Sequence, residues 1–240
     1  MDTKATELHG MSLPGTVRDI ARHEAAHLVM LWLLDRPVLS CCITKKGGVT
    51  WQLKPQGEKT ETALEHILHS LAGIIGERNA EVLDDLRTHV GDIEWFAKDT
   101  DSYHVAVGIT FFRKAPDIWL NGLSDVTWQL LTRFAKNHRE VTKLLLENDN
   151  LDFKDIFELF GKWDAMYFQG DRPKSDLVAR YVFRMFGWRL SRKDWYGWDL
   201  KPLPPDWSPR PKRTLEEIAE MVRKELASNV EASSGIACQD

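Results

Sequence analysis

The segment Arg22-His23-Glu24-Ala25-Ala26-His27 contains the residues of this sequence that are best suited to chemistry. Two histidines four residues apart lie on one face of a helix, so His23 and His27 can each direct a ring nitrogen to one zinc ion. Glu24 is turned by one residue from that pair, and its carboxylate can reach a water on the open side of the metal. The segment therefore predicts zinc-dependent peptide hydrolysis, with Glu24 as the general base and acid.

A catalytic zinc needs a third protein ligand, and the spacing of the motif alone does not identify it. Residues 28–33 contain neither histidine nor glycine, which excludes the metzincin arrangement of a third histidine on a glycine turn. Other zinc peptidases take a carboxylate from a later helix. The remaining candidates are Glu77, Glu81, Asp92, Asp99, Asp101 and His104.

The metal motif is predicted to lie on a helix over 17–34. Thr16 can cap it, Asp19 follows three residues later near the positive helix end, and Pro37 stops it. Two short apolar runs at 38–44 and 49–53, separated by Lys45-Lys46-Gly47-Gly48, then predict a β-hairpin.

The rest of the chain shows mainly helical spacing of its apolar residues. Further helices are predicted over about 60–81, from 92–97 with continuation over 105–112, over 124–146 with Ser124 as its cap, and over 151–160. After residue 162 the composition changes, because five of the ten tryptophans follow and five of the ten prolines lie between Pro202 and Pro211. There the sequence predicts a basic amphipathic helix over 175–187, an extended segment over 196–212 and a last helix over 214–227.

Composition and charge limit the class of protein. The 240 residues include 32 basic and 36 acidic side chains, a net charge of −4, which argues against a nucleic-acid binder on bulk charge but leaves a local basic patch open. Three cysteines cannot form a disulfide framework, which favours a reducing compartment. The first residues show no signal peptide, and the longest uncharged apolar run, 25–34, is too short for a transmembrane segment. We therefore expect a cytoplasmic protein.

The order of these motifs resembles the peptidase domain of the FtsH-type zinc metalloproteases, peptidase family M41. The matching segments are residues 20–29, then Gly48-Val49-Thr50, Leu71-Ala72-Gly73-Ile74-Ile75-Gly76-Glu77 and Gly91-Asp92-Ile93. The resemblance covers about 16–160 and implies a zincin-like fold, zinc as the cofactor and Asp92 as the third zinc ligand. Ala26 stands where the family has glycine. The ATP-binding pattern G-x-x-x-x-G-K-[ST] does not occur, so ATP-driven unfolding does not carry over.

Together these observations predict a mostly α (α+β) protein with a small β-sheet and four parts. They are a flexible tail at 1–15, an M41-like zinc peptidase domain at 16–162, a Trp/Pro-rich extension at 163–227 and a disordered tail at 228–240. The expected function is that of a zinc metalloendopeptidase that cuts flexible or unfolded protein segments. The alternative is a non-catalytic, zinc-stabilised regulatory or protein-binding module.

The Trp-rich extension is a candidate contact surface for a partner protein. Its arginines interleave with aromatic residues, a pattern that also occurs in proteins that bind single-stranded nucleic acid or membrane surfaces. Residues 151–240 contain 15 basic and 15 acidic side chains, a balance that does not favour binding to a polyanion.

Overall fold

The computed structural model describes residues 16–45, 47–52, 63–78, 80–89, 93–96, 98, 100–110, 116–168, 174–190, 217 and 220. These residues are mostly helical and include a small antiparallel sheet, as expected for an α+β chain. The elements are α1 (Val17–Leu33), β1 (Val38–Thr44), β2 (Gly47–Gln52), α2 (Ala63–Gly76), α3 (Ala80–Thr88), a 3₁₀ turn (Ile93–Trp95), α4 (Asp101–Thr110), α5 (Pro116–Arg133), α6 (Ala135–Asn148), β3 (Asn150–Leu151), α7 (Phe153–Tyr167) and α8 (Ser175–Leu190).

Helix α1 is the centre of the fold. Its N-terminus is fixed by a capping box, in which the Thr16 hydroxyl accepts from the backbone N–H of Asp19 and the Asp19 carboxylate accepts from Thr16. From Ala25 to Leu34 every residue is buried, because α2, α6 and the β-hairpin pack around the helix. A helix that is apolar on all sides is stable only inside a core. The helix predicted to carry the motif is therefore confirmed, and it lies inside the core.

The predicted hairpin is also confirmed. β1 pairs with β2 in antiparallel register, with Cys41 opposite Thr50, and the sheet order is β2-β1-β3. The third strand consists of Asn150 and Leu151, which pair with Cys42 and Cys41. A strand of two residues is too short to show the alternation by which a sequence reveals strands.

The helix expected over 60–81 is interrupted in the structure. α2 ends at Gly76, Arg78 adopts a left-handed backbone conformation (φ 61°), and α3 starts at Ala80. The helix expected over 124–146 is also two helices. α5 begins earlier, with Pro116 at its first turn, and Ser124 is buried inside it rather than capping it. Apolar spacing continues across the bend at Phe134 because both helices face the same core.

The remaining helices start or end a few residues from their predicted positions. Of residues 92–97 the structure describes 93–96, which contain the 3₁₀ turn, while α4 begins before 105 and α7 begins after the Asp152 cap and extends to Tyr167. The predictions for 1–15, 196–212 and 228–240 lie outside the described residues, as does most of the last helix. Across the part of the chain that the structure describes, no helix is both long enough and apolar enough to cross a membrane.

The expected domain boundary at 162 falls inside α7. Trp163 is only 1% exposed, and its ring packs against that of Trp32 in α1 at 4.9 Å. Helix α8 adds four buried side chains to the same core: Leu177, Val178, Val182 and Phe186. The first 28 residues of the expected extension therefore contribute, where described, to the same core as α1.

A buried ion pair fixes α2 relative to the end of α1. Nη2 of Arg36 lies 2.6 Å from Oε2 of Glu65, and the two side chains are 5% and 4% exposed. Removal of one partner leaves the other charge in a medium where its solvation is poor. This pair sets the start of the helix that lies against the metal motif.

We predict that Glu65→Ala lowers the free energy of unfolding by about 3–5 kcal/mol, because the Arg36 guanidinium loses its buried carboxylate. The matched control is Asp84→Ala, which removes a pair with Arg87 whose side chains are 72% and 47% exposed. Pairs of that kind contribute about 0.2–1 kcal/mol. Urea denaturation measures both variants, and similar small losses would contradict the structural role of the buried pair.

Candidate metal centre

Three potential ligand atoms converge between α1 and α4. Nε2 of His23 and Nε2 of His27 are 2.8 Å apart. Oδ2 of Asp101 lies 2.8 Å from the first and 3.0 Å from the second. Thr100 positions Asp101, because its hydroxyl accepts from the backbone N–H of Tyr103 and starts α4 at Asp101. The result is a compact set of two imidazoles and one carboxylate.

The other ring nitrogens of the two histidines already have partners. Nδ1 of His27 lies 3.0 Å from the carbonyl oxygen of His69, and Nδ1 of His23 lies 2.5 Å from Oε1 of Glu77. Both partners are acceptors, so each Nδ1 is assigned a proton and each Nε2 is directed at Oδ2 of Asp101. Two ring nitrogens and a carboxylate oxygen therefore face one another. Such a set needs a proton or a metal cation between its members.

The pKa values follow from this arrangement. Burial by itself lowers the pKa of His23, but hydrogen bonds to the carboxylates of Asp101 and Glu77 outweigh it and raise the pKa to about 10. Burial likewise raises the pKa of Asp101, yet the charge of His27 and hydrogen bonds from both histidines hold it well below its usual range. The site thus stabilises positive charge at the point where the three atoms meet.

This donor set fits zinc. Two histidine nitrogens and one carboxylate oxygen form a known catalytic combination, with the metal-bound ring nitrogens oriented by carbonyl and carboxylate partners. Atoms bound to a tetrahedral zinc at 2.0–2.1 Å are about 3.3 Å apart, so the three groups would separate by a few tenths of an ångström. Gly73 of α2 provides the space. A Cβ at this position would lie 2.5–2.7 Å from all three ligand atoms.

Glu24 lies beside this set with a fixed side chain. It is 4% exposed, and its Oε2 accepts a 2.6 Å hydrogen bond from the Thr50 hydroxyl of β2. One carboxylate oxygen of Glu24 and one ring nitrogen of each histidine all lie within 4.8 Å of one another. The hairpin can approach this closely because residue 48 is glycine, where a Cβ would lie 2.4 Å from Cγ of Glu24. The carboxylate is thus held near the ligand atoms.

Cys41 shares the Thr50 hydroxyl with Glu24 and is not a candidate nucleophile. Its sulfur lies 3.2 Å from the Thr50 hydroxyl. Burial raises the pKa of its thiol, and the neighbouring Glu24 charge adds to this effect. A thiol must ionise to act as a nucleophile, so Cys41 is inert in this position.

The ligand set opens into a cleft of about 490 Å³. Gly48, Val49 and Thr50 of β2 form one wall, and Thr100, Ser102 and His104 line it from the side of α4. β2 pairs with β1 on one side, and no other described strand pairs with it on the other. The cleft therefore lies along a strand edge.

The described candidates for the third ligand occupy different positions relative to the two histidines. Asp101 contacts both histidines, whereas Glu77 contacts the outer nitrogen of His23 and supports it from behind. Glu81 is exposed on α3, and His104 lines the cleft. Asp92, the ligand expected from the family resemblance, and Asp99 lie outside the described residues. Among the described candidates, Asp101 is the one positioned as a ligand.

Sequence reasoning missed three supporting residues. Gly73 makes space for the ligand atoms, and Thr50 holds Glu24. His69 packs its ring against that of His27 at 4.4 Å, and its Nδ1 lies 3.3 Å from Nε2 of Gln52. These roles depend on contacts between separate elements, so no local pattern reveals them. Gly73 and Thr50 do belong to segments that resemble the family.

We predict that Gly73→Ala folds but loses most of its bound zinc, because the new Cβ displaces the three ligand atoms. Alanine is the stronger helix former by about 1 kcal/mol, so α2 itself is expected to form. The control is Gly161→Ala in α7, where nothing lies within 4 Å of an added Cβ. Elemental analysis with circular dichroism measures both, and equal zinc contents would show that Gly73 does not shape the site.

No protein-family model matches this sequence, and a search of curated proteins finds no similar sequence. The resemblance to peptidase family M41 therefore stays a hypothesis, and the function has to be argued from the geometry of the centre itself.

Proposed function

We propose that this protein is a zinc-dependent metalloendopeptidase. The observation that supports it best is the meeting of His23, His27 and Asp101 beside the buried carboxylate of Glu24. A purely structural zinc site has no need of an additional carboxylate held close to its ligands. Structural sites are also normally closed by four protein ligands, whereas two histidines and one carboxylate leave a position for water.

Zinc bound at this centre would supply Lewis-acid polarisation of the scissile carbonyl and would lower the pKa of the attacking water. The chain itself supplies the proton transfers. Thr50 occupies one oxygen of Glu24, Oε2, so Oε1 is the oxygen available to accept the proton of water. The protonated Glu24 then donates to the departing amine nitrogen, which restores the carboxylate. His69 and Glu77 keep both histidines in the orientation that leaves their Nε2 atoms for the metal.

The shape of the cleft favours an extended peptide as the substrate. The edge of β2 offers backbone groups beside Glu24, and a substrate strand can pair with such an edge. Only a flexible or unfolded segment can adopt that conformation in a cleft of this size. We propose on this basis that the protein cuts such segments, and that this chain does so without ATP-driven unfolding of its substrate. We further propose that it acts in the cytoplasm, since the buried Cys41 is a free thiol.

We predict that Glu24→Gln lowers the rate of peptide cleavage by about 10²- to 10⁴-fold, because the amide cannot accept the proton of water. The zinc content should stay unchanged, since Glu24 is not among the three converging ligands. The assay uses fluorescein-labelled, unfolded casein with elemental analysis of the same samples. If the parent chain binds zinc but cleaves nothing, the alternative of a zinc-stabilised binding module gains support.

We predict that Asp101→Asn lowers zinc affinity by about 10-fold or more, because an amide oxygen carries no charge with which to hold the cation. The matched comparison is Asp92→Asn, which should keep the parent affinity. Competition against a chromogenic chelator measures all three proteins. Loss of zinc in the Asp92 variant with retention in the Asp101 variant would reverse the ligand assignment in favour of the family resemblance.

A further inference from the structure

A second hollow, of about 720 Å³, lies between α1, α2, α5 and α6, and we name it the basic groove. No residue that lines it also lines the cleft beside His23, His27 and Asp101, which we name the metal cleft. The charged lining of the basic groove consists of the cations Arg18, Arg22, Arg78, Arg139 and Lys143, and of one carboxylate, Glu147. The chain as a whole has a net charge of −4. Positive charge is therefore concentrated at this surface, although the net charge of the chain is negative.

Most of this charge is not neutralised by carboxylates of the residues that the structure describes. Arg22 pairs with Asp19, and Lys143 lies 3.6 Å from Glu147. Within the part of the chain that the structure describes, no carboxylate pairs with Arg18, Arg78 or Arg139. Unpaired arginine forks at a concave surface are suited to binding carboxylates or phosphates.

His138 shows that the arginines come close together. Its Nε2 lies 2.8 Å from the carbonyl oxygen of Arg22 at the wall of the groove. Burial lowers the pKa of this histidine, and the charges of Arg22, Arg78 and Arg139 add to that effect against the hydrogen bond to the Arg22 carbonyl, which raises it. His138 is therefore neutral near pH 7, and the positive charge of the groove belongs to its arginines and lysine.

Apolar side chains lie between the cations. Ile75, Leu131 and Ala135 line the groove. Trp128 and Leu146 also line it, and 56% and 42% of their respective surfaces are exposed. Large apolar side chains exposed together in a concave surface mark a binding site more often than singly exposed ones do. A ligand for this groove must therefore offer both negative charge and apolar surface.

The surface continues beyond the groove. A neighbouring hollow of about 370 Å³ shares Arg139 and Lys143 with it, and Lys162 and the half-exposed Met166 line the far side. Helix α6 thus forms a basic ridge between two hollows that each contain apolar side chains. This length and alternation suit a chain molecule better than a compact ligand.

We propose that the basic groove binds an acidic peptide segment that also has aliphatic or aromatic side chains. Its carboxylates would pair with Arg18, Arg78 and Arg139, and its apolar side chains would cover Trp128 and Leu146. The aliphatic walls favour a peptide over single-stranded nucleic acid, which needs a series of stacking rings. The concave form disfavours a flat lipid surface. The proposal does not depend on zinc or on peptide hydrolysis.

The test is fluorescence anisotropy of a short labelled peptide of glutamate, leucine and phenylalanine, with the full chain carrying Glu24→Gln so that the probe is not consumed. We expect binding that weakens as salt is added. The double variant Arg18→Glu, Arg139→Glu should weaken it about tenfold or more, because two attractive pairs become repulsive. Trp128→Ala should weaken it several-fold, and a probe with glutamine in place of glutamate should not bind.

The controls match these changes outside the groove. Arg180→Glu with Arg184→Glu alters the net charge equally on exposed positions of α8, and Phe183→Ala removes an aromatic side chain that is 60% exposed. Both should leave affinity unchanged, with unaltered thermal unfolding in every variant. Equal losses in the controls would overturn the proposal, as would tighter binding of oligothymidylate than of the peptide. A dimer that dissociates in the Arg18, Arg139 variant would overturn it in favour of a second copy.

Discussion

The close crossing of α1 and α2 is the contact on which the rest of the structure depends. At Gly76 a Cβ would lie 2.5 Å from Cβ of Ala26 and 2.9 Å from the carbonyl oxygen of Arg22, so the two helices touch through their backbones. One turn earlier, Gly73 faces the imidazoles of His23 and His27. Glycine at both positions lets α2 approach α1 closely. Glu77 can then contact Nδ1 of His23, and the carbonyl oxygen of His69 can contact Nδ1 of His27. The orientation of both imidazoles follows from that approach.

This crossing also explains why one helix can serve two surfaces. Along α1, Arg22 faces the basic groove while its neighbours His23 and Glu24 face the metal cleft. The inner part of the helix is buried on all sides, so neither surface can change by movement of α1 alone. The pair Arg36–Glu65 and the Asp152 cap of α7 are not part of the ligand set, yet they hold elements that surround this helix. A rigid framework of this kind suits a site whose groups must be placed within fractions of an ångström.

The sequence predicted the parts of this site that lie within one element. The spacing of His23, Glu24 and His27, the Thr16 cap and the Gly-rich hairpin are local features, and the structure has each of them. The sequence did not single out Asp101 among the six candidates for the third ligand, because nothing near it in the sequence indicates which carboxylate reaches α1. The sequence also did not predict the breaks between α2 and α3 at Arg78 and between α5 and α6 at Phe134. The spacing of apolar residues shows which side chains face the core. That spacing continues where the chain bends around the core, so it does not reveal the bend. The burial of Trp163 and α8 in the same core depends on long-range packing that composition does not reveal.

The central claim is that His23, His27 and Asp101 bind one zinc ion with an open position for water. X-ray absorption at the zinc edge of the purified protein tests it most directly. The account predicts nitrogen and oxygen ligands alone at about 2.0–2.1 Å, with scattering from two imidazoles that falls to one in the His23→Ala variant. Sulfur at about 2.3 Å, or an unchanged spectrum in that variant, would contradict it.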